Sequence, residues 1–150
     1  MNRLDKEKFI FGSLFLLANK MQVNGDKYLA EDDMTLRQWF LTISILQFGD
    51  HPPTLNEVAE KMGSTRQNVK QLVTKLLEKG FITVEKDAAD ARAMRLKLTD
   101  KSESFWEGRE EKDRRFITDL FKDLTNSELN VMCEGLNKLL DTIKGMNRNA

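Results

Sequence analysis

Two helix-start signals ten residues apart, with one glycine between them, constrain this chain more than any other feature. TLNE at 54–57 and STRQ at 64–67 both have the S/T-x-x-E/Q form. In that form the first and fourth side chains satisfy each other's orphan backbone amides at a helix N-terminus. Between them Leu55, Val58, Ala59 and Met62 outline one short helix, and Gly63 supplies its stop. The next helix runs over 64–79, STRQNVKQLVTKLLEK, and Gly80 closes it. Its Val69, Leu72, Val73, Leu76 and Leu77 recur at i, i+3, i+4, i+7 and i+8, which predicts one buried stripe. Two short helices joined across a single glycine make a helix-turn-helix.

The other face of the second helix carries Thr65, Arg66, Gln67, Asn68, Lys70, Gln71, Thr74 and Lys75, with no acid before Glu78. Amide forks pair with adenine edges in a DNA major groove, and Arg or Lys with guanine. An ordinary solvated helix face has a similar composition, so the segment after Gly80 decides between the two. FITVEK at 81–86 alternates and is β-branched, DAADAR at 87–92 is a polar turn, and MRLKL at 94–98 alternates again. A two-stranded hairpin directly after a helix-turn-helix is a wing. The chain is neutral overall, with 24 basic and 24 acidic residues. From Lys61 to Lys97, however, nine Lys and Arg face four acids, a net +5 that leaves the remainder at −5. A basic segment of this kind suits phosphate contact, with Lys61, Lys75, Lys86 and Lys97 as the candidates.

The flanks are helical. Residues 6–23 include Phe9, Ile10, Phe11, Leu14, Phe15, Leu16, Leu17 and Met21, more apolar surface than one stripe needs. Such a helix is buried on more than one side, and a second subunit is the expected cover. Residues 23–33, with Gly25 and the acids 31–33, are expected to form a loop. TLRQ at 35–38 opens a helix to Phe48, which GDHPP at 49–53 ends. Thr99 is expected to cap one long helix toward Lys122. TNSE at 125–128 opens a last helix with Leu129, Met132, Leu136, Leu139, Leu140 and Ile143, fraying from Asn147. The expected fold is mainly α with a small β wing: a winged helix-turn-helix between N- and C-terminal helices. It forms a single domain over 1–150, with the winged lobe at 34–99 and flanking helices at 5–24 and 100–146.

Other classes find little support. Cys133, the one cysteine, excludes an internal disulfide and is expected to be a small buried hydrophobe beside Val131, Met132 and Leu136. One histidine, His51 in the proline turn, cannot build a zinc site. The acids lie in solvated runs at 31–33, 110–111 and 113, and neither a Gly-rich phosphate loop nor a nucleophile motif is present. We therefore expect no enzyme, no cofactor and no metal. The longest apolar run is too short for a membrane span, and MNRLDKEK lacks a signal-peptide layout, so a cytoplasmic location is expected.

LLEKGFI at 76–82, DAR at 90–92 and LKLT at 96–99, with the polar-faced helix and the order of elements, resemble the MarR family of winged helix-turn-helix transcriptional regulators. The resemblance spans nearly the whole chain. It implies that 34–99 is a DNA-binding lobe and that the chain is an obligate homodimer, whose N- and C-terminal dimerisation helices, at 5–24 and 100–146, interleave with those of a second copy. It also implies a repressor that leaves double-stranded DNA when a small aromatic or anionic effector binds. Carried over by position, Arg92 enters the minor groove and Asp90 orients it through a charge-assisted hydrogen bond. The family's wing often reads D-P-x-D-R-R; Ala88 and Ala91 here leave the tip less rigid and one charge poorer. The recognition helix is therefore expected to carry more of the discrimination. A peroxide-sensing cysteine in the first helix and a set of zinc ligands are both missing.

The candidate DNA-binding residues are thus Thr65, Arg66, Gln67, Asn68, Lys70, Gln71, Lys75 and Arg92, with Asp90 behind Arg92. They would face a pseudo-palindromic operator. Phe11, Phe15, Trp39 and Trp106 are candidates to line an effector pocket where the first, second and fifth helices meet, though core or dimer packing uses the same aromatics. The alternative reading is a winged-helix protein-interaction module without DNA binding, which would leave the polar face of 66–75 unused.

Overall fold

Asn2 starts the first helix, α1 (Arg3–Leu29), by accepting a hydrogen bond from the Asp5 amide at 2.8 Å. The computed structural model describes residues 1–148 and forms two compact units, Met1–Phe105 and Trp106–Ala150. Helix α1 corrects the expected loop at 23–33, because it continues through Gly25 to Leu29 and ends in a 3-10 turn, Ala30–Asp32. Gly25 is not a stop but a point of close approach: a Cβ there would lie 2.9 Å from Leu36 Cδ1. Beside it the Asp26 carboxylate accepts from the Leu36 amide at 2.8 Å, so α1 itself helps to start the next helix.

That helix, α2 (Leu36–Leu46), opens with the expected box between Thr35 and Gln38. It sends Leu41 and Ile45 into the core. Helix α3 (Leu55–Met62) opens with the box between Thr54 and Glu57 and ends at Gly63, whose φ of 67° is the left-handed conformation that glycine tolerates. The box expected at 64–67 does not form. The Ser64 amide is spent on the Ala59 carbonyl in the α3 stop, and Thr65 caps α4 (Arg66–Glu78) by accepting from the Asn68 amide at 3.1 Å. Val69, Val73 and Leu76 are buried as the stripe predicts, whereas Leu77 is 40% exposed because it turns toward the wing.

Gly80 (φ 76°) ends α4, and the Phe81 amide reaches back to the Leu76 carbonyl at 2.9 Å. Strands β1 (Ile82–Lys86) and β2 (Met94–Leu98) pair antiparallel, with Ile82 opposite Leu98 and Val84 opposite Leu96. Leu41, Val58, Val69, Leu76, Ile82 and Leu96 are all buried, so three helices and the hairpin close on one core. Each such side chain stabilises the fold by about 1.5–3 kcal/mol relative to leaving it in water. Thr99 finishes the unit by donating to the Gly80 carbonyl (2.7 Å) and capping α5 (Asp100–Gly108) through the Ser102 amide.

The long helix expected from Thr99 to Lys122 is in fact two, α5 and α6 (Glu110–Leu120), broken at Gly108–Arg109. Glycine is a weak helix former, and the Arg109 amide takes the carbonyl three residues back, Trp106, as tight turns do. In the second unit Arg109 is buried and pairs with Asp113 at 3.5 Å. Burial holds the Asp113 carboxyl above its ordinary range, more than Arg109 pulls it down. The Thr125–Glu128 box forms and opens α7 (Asn126–Arg148). Its Val131, Met132, Leu136, Leu139, Leu140, Ile143 and Met146 all stay exposed. Cys133, expected to be buried, is exposed with them. Asn147 and Arg148 are helical rather than frayed, and residues 149–150 lie outside those described.

Candidate nucleic-acid interface

Helical phase sorts the polar face of α4 into three rows. Gln67 and Gln71, one turn apart, stand opposite the buried Val69, Val73 and Leu76 and are exposed. Arg66, Lys70 and Thr74 flank a hollow of about 350 Å³ between α3, α4 and the hairpin, floored by Val73, Val84 and Leu96. Asn68 and Lys75 lie on the far side, also exposed. Thr65 is the exception among the predicted contacts, because its hydroxyl oxygen already caps the helix.

Arg66 does not hang free at this border. Its Nη1 donates to Asn56 Oδ1 of α3 at 2.8 Å, so one prong of the guanidinium is held while the rest faces outward. Sequence reasoning missed Asn56. It sits inside the TLNE box, and nothing in the spacing joins it to a residue of the next helix.

Across the hollow stands Arg92, with 94% of its side chain exposed. Asp90 Oδ1 accepts from both the Arg92 amide (3.0 Å) and Arg92 Nε (3.4 Å), so the two wing residues singled out by sequence do meet. The Asp90 amide in turn donates to Asp87 Oδ2 at 3.0 Å, and Asp87 Oδ1 accepts from Arg95 Nε at 3.0 Å. That last bond holds the Asp87 carboxyl below its ordinary range. Of the four lysines considered for phosphate contact, Lys61, Lys75 and Lys86 are exposed, while Lys97 lies 3.9 Å from Glu85 on the paired strand.

The proposed effector aromatics lie elsewhere. Phe11 and Phe15 stack edge to face, centroids 5.2 Å apart, on the exposed side of α1. Trp39 is half-buried on α2, and Trp106 is half-buried as the first residue of the second unit. None of the four borders the hollow beside α4. Among the described residues no group of three or more His, Cys, Asp or Glu could hold a metal ion, and no helix is long and apolar enough to cross a membrane.

Helix-turn-helix, wing and a donor-rich second helix define the first unit as a winged helix-turn-helix. Residues 32–93 match the family model of the MarR family. That match covers the helix-turn-helix and the first strand of the wing, less than half of the chain. The fold agrees over almost the full length. The transcriptional regulator BldR from Sulfolobus solfataricus superposes with a TM-score of 0.81 at 21% identity, covering 95% of this chain and 99% of that one. A mutant MarR from E. coli, complexed with operator DNA, gives 0.78 at 19% identity, covering 93% and 99%. The organohalide-sensing regulator RdhR, in its 2,4-dichlorophenol-bound form, gives 0.78 at 16% identity, covering 95% and 85%. No curated protein matches the chain by sequence.

Proposed function

We propose that the chain works as a homodimeric repressor. In this reading it grips a pseudo-palindromic operator with two copies of α4 and two wings, and a small aromatic or anionic effector releases it. The observation that carries the reading is the pairing of an acid-poor donor face on α4 with the exposed, Asp90-oriented Arg92 across one hollow. Two-fold symmetry would set the recognition helices about 34–36 Å apart, one turn of DNA. The mutant MarR structure holds operator DNA on the same fold, which favours this use of the lobe.

The uncovered apolar faces of α1 and α7 support the dimer. Phe9, Phe11, Phe15, Leu16, Val131 and Leu140 are each more than half exposed in the single chain. So much apolar surface on helices this long marks an interaction site, and the second copy is the proposed cover. An effector would act by preferring one spacing of the two lobes over another. The dichlorophenol-bound relative makes a phenolic or anionic compound the class to try first. Phe11, Phe15 and Trp39 are the proposed aromatic contacts in the first unit, where binding would bear on the dimer.

Binding to the chain's own upstream DNA, measured by mobility shift at several salt concentrations, tests the reading. Gln71→Ala or Arg66→Ala should cost about 1–3 kcal/mol and relax one base position. Lys75→Ala should weaken all sequences alike and flatten the salt slope by about one. Salt-independent binding, or none, would favour the protein-interaction module instead.

A further inference from the structure

The turn between the strands is built from residues that can do little to shape it. Ala88, Ala89, Ala91 and Ala93 offer no side-chain hydrogen bond, which leaves Asp87, Asp90 and Arg92. Those three form a relay: Arg92 donates to Asp90, the Asp90 amide donates to Asp87, and Asp87 accepts from Arg95 on β2. Arg95 does not stop there. Its Nη1 donates to the Pro52 carbonyl at 2.8 Å, and lies 3.4 Å from Glu57 Oε1. Glu57 is the fourth residue of the box that starts α3, and the same oxygen accepts from the Thr54 amide at 3.1 Å. The backbone runs along the same line, since the Leu96 amide donates to the Pro53 carbonyl at 2.8 Å and Thr54 bridges to Arg95.

We propose that Arg95 is a positioning residue for DNA binding: its fork locks the wing to the start of α3 and thereby sets where Arg92 meets the DNA. This rests on the DNA-binding reading above. A guanidinium suits the task because it is planar and can bind a carboxylate and a carbonyl in fixed directions at once, which an ammonium cannot. Arg95 is only 32% exposed and its contacts point inward, to the turn and the helix start, unlike the outward Arg92. The two arginines therefore divide the work. One is offered to the nucleic acid, and the other holds the frame that offers it.

The sign of one substitution separates positioning from plain electrostatics. Asp87→Asn removes a negative charge from a DNA-facing turn, and charge alone would make binding tighter. If Asp87 and Arg95 position the tip, Asp87→Asn should instead weaken operator binding roughly tenfold, on the scale of one lost contact. Arg95→Ala should do the same, and Arg95→Lys should restore only part. In an Arg92→Ala background the Arg95→Ala loss should shrink to less than about twofold, since there is no tip arginine left to misplace. An undiminished loss in that background would make Arg95 a direct phosphate contact and overturn the proposal, as would wild-type or tighter binding by Asp87→Asn. Trypsin cleavage after Arg92 in the DNA-free protein reads the anchor by itself, and should speed up in both Asp87→Asn and Arg95→Ala. Unchanged cleavage overturns it too. A wild-type chain with no salt-dependent DNA binding removes the functional reading and this one together. A wild type that binds, with variants that match it, removes only this one.

Discussion

Helices α4 and α7 carry the same kind of apolar stripe and meet opposite ends. In α4, Val69, Val73 and Leu76 are at most 6% exposed, because α2, α3 and the hairpin surround them. In α7, seven apolar side chains from Val131 to Met146 are between 42% and 67% exposed. Periodicity alone does not distinguish them. The difference lies in what the rest of the chain brings to each stripe: the lobe closes its own core, while the terminal helices present theirs outward. Long helices draw most of their stability from packing one face rather than from propensity, so α7 as it stands is incomplete in a way α4 is not.

Charge placed in each stripe should break the comparison most sharply. Val69→Asp would bury an unpaired carboxylate at a site with no exposure and should unfold the lobe, a loss of several kcal/mol visible in thermal denaturation by circular dichroism. Leu136→Glu sits on the open stripe and should leave the melting of the lobe in place. Its effect should appear in sedimentation velocity, as a dimer weakened by about 2 kcal/mol or more. A sedimentation profile identical to wild type would mean that a second copy does not cover α7.

Two glycines sharpen the same contrast with smaller effects of opposite sign. A Cβ at Gly25 would come within 2.9–3.1 Å of three carbons of Leu36, so Gly25→Ala should destabilise by about 1–2 kcal/mol despite its better helix propensity. At Gly135 in α7 a Cβ meets nothing within 4 Å, and Gly135→Ala should stabilise by about 0.5–1 kcal/mol. Chemical denaturation of both variants checks the pair. Stabilisation by Gly25→Ala would contradict the close packing of α1 on α2.

Much of the lobe was legible because its signals are local. The boxes at Thr35 and Thr54, the stop at Gly63 and the alternation of the two strands each need only a few neighbouring residues. Departures occurred where a residue answers to something distant in sequence. Gly25 has the form of a stop, but it is the place where α1 meets Leu36. Ser64 has the form of a cap, but its amide is taken by the turn before it, which shifts capping to Thr65. Leu77 fits the stripe by spacing, yet it lines the open hollow beside the wing. In the candidate site the donor face of α4 and the Asp90–Arg92 pair were visible in the sequence. Asn56 behind Arg66 and Arg95 behind Asp87 were not, because each acts across an element boundary that spacing does not encode.

The smallest expected effect sets a carboxylate of each unit against the other. Asp87 is held by the Arg95 hydrogen bond, with Asp90 and Ala89 amides assisting, and its folded pKa lies below the ordinary 3.8. Its contribution to stability is therefore complete above 3.8 and is lost as pH falls through the lower folded value. Asp113 runs the other way. Burial outweighs the attraction of Arg109, its folded pKa lies above 3.8, and the ionised form opposes folding at neutral pH. As pH falls through that raised value the folded state takes up the proton first, so this residue favours folding more as acid is added, until the unfolded chain is protonated as well. Carboxyl-carbon NMR titration should place the Asp87 midpoint below 3.8 and the Asp113 midpoint above it. Arg95→Ala should bring only the former back toward 3.8. Midpoints on the same side would show that the wing relay and the Arg109 pair differ less than their geometry implies.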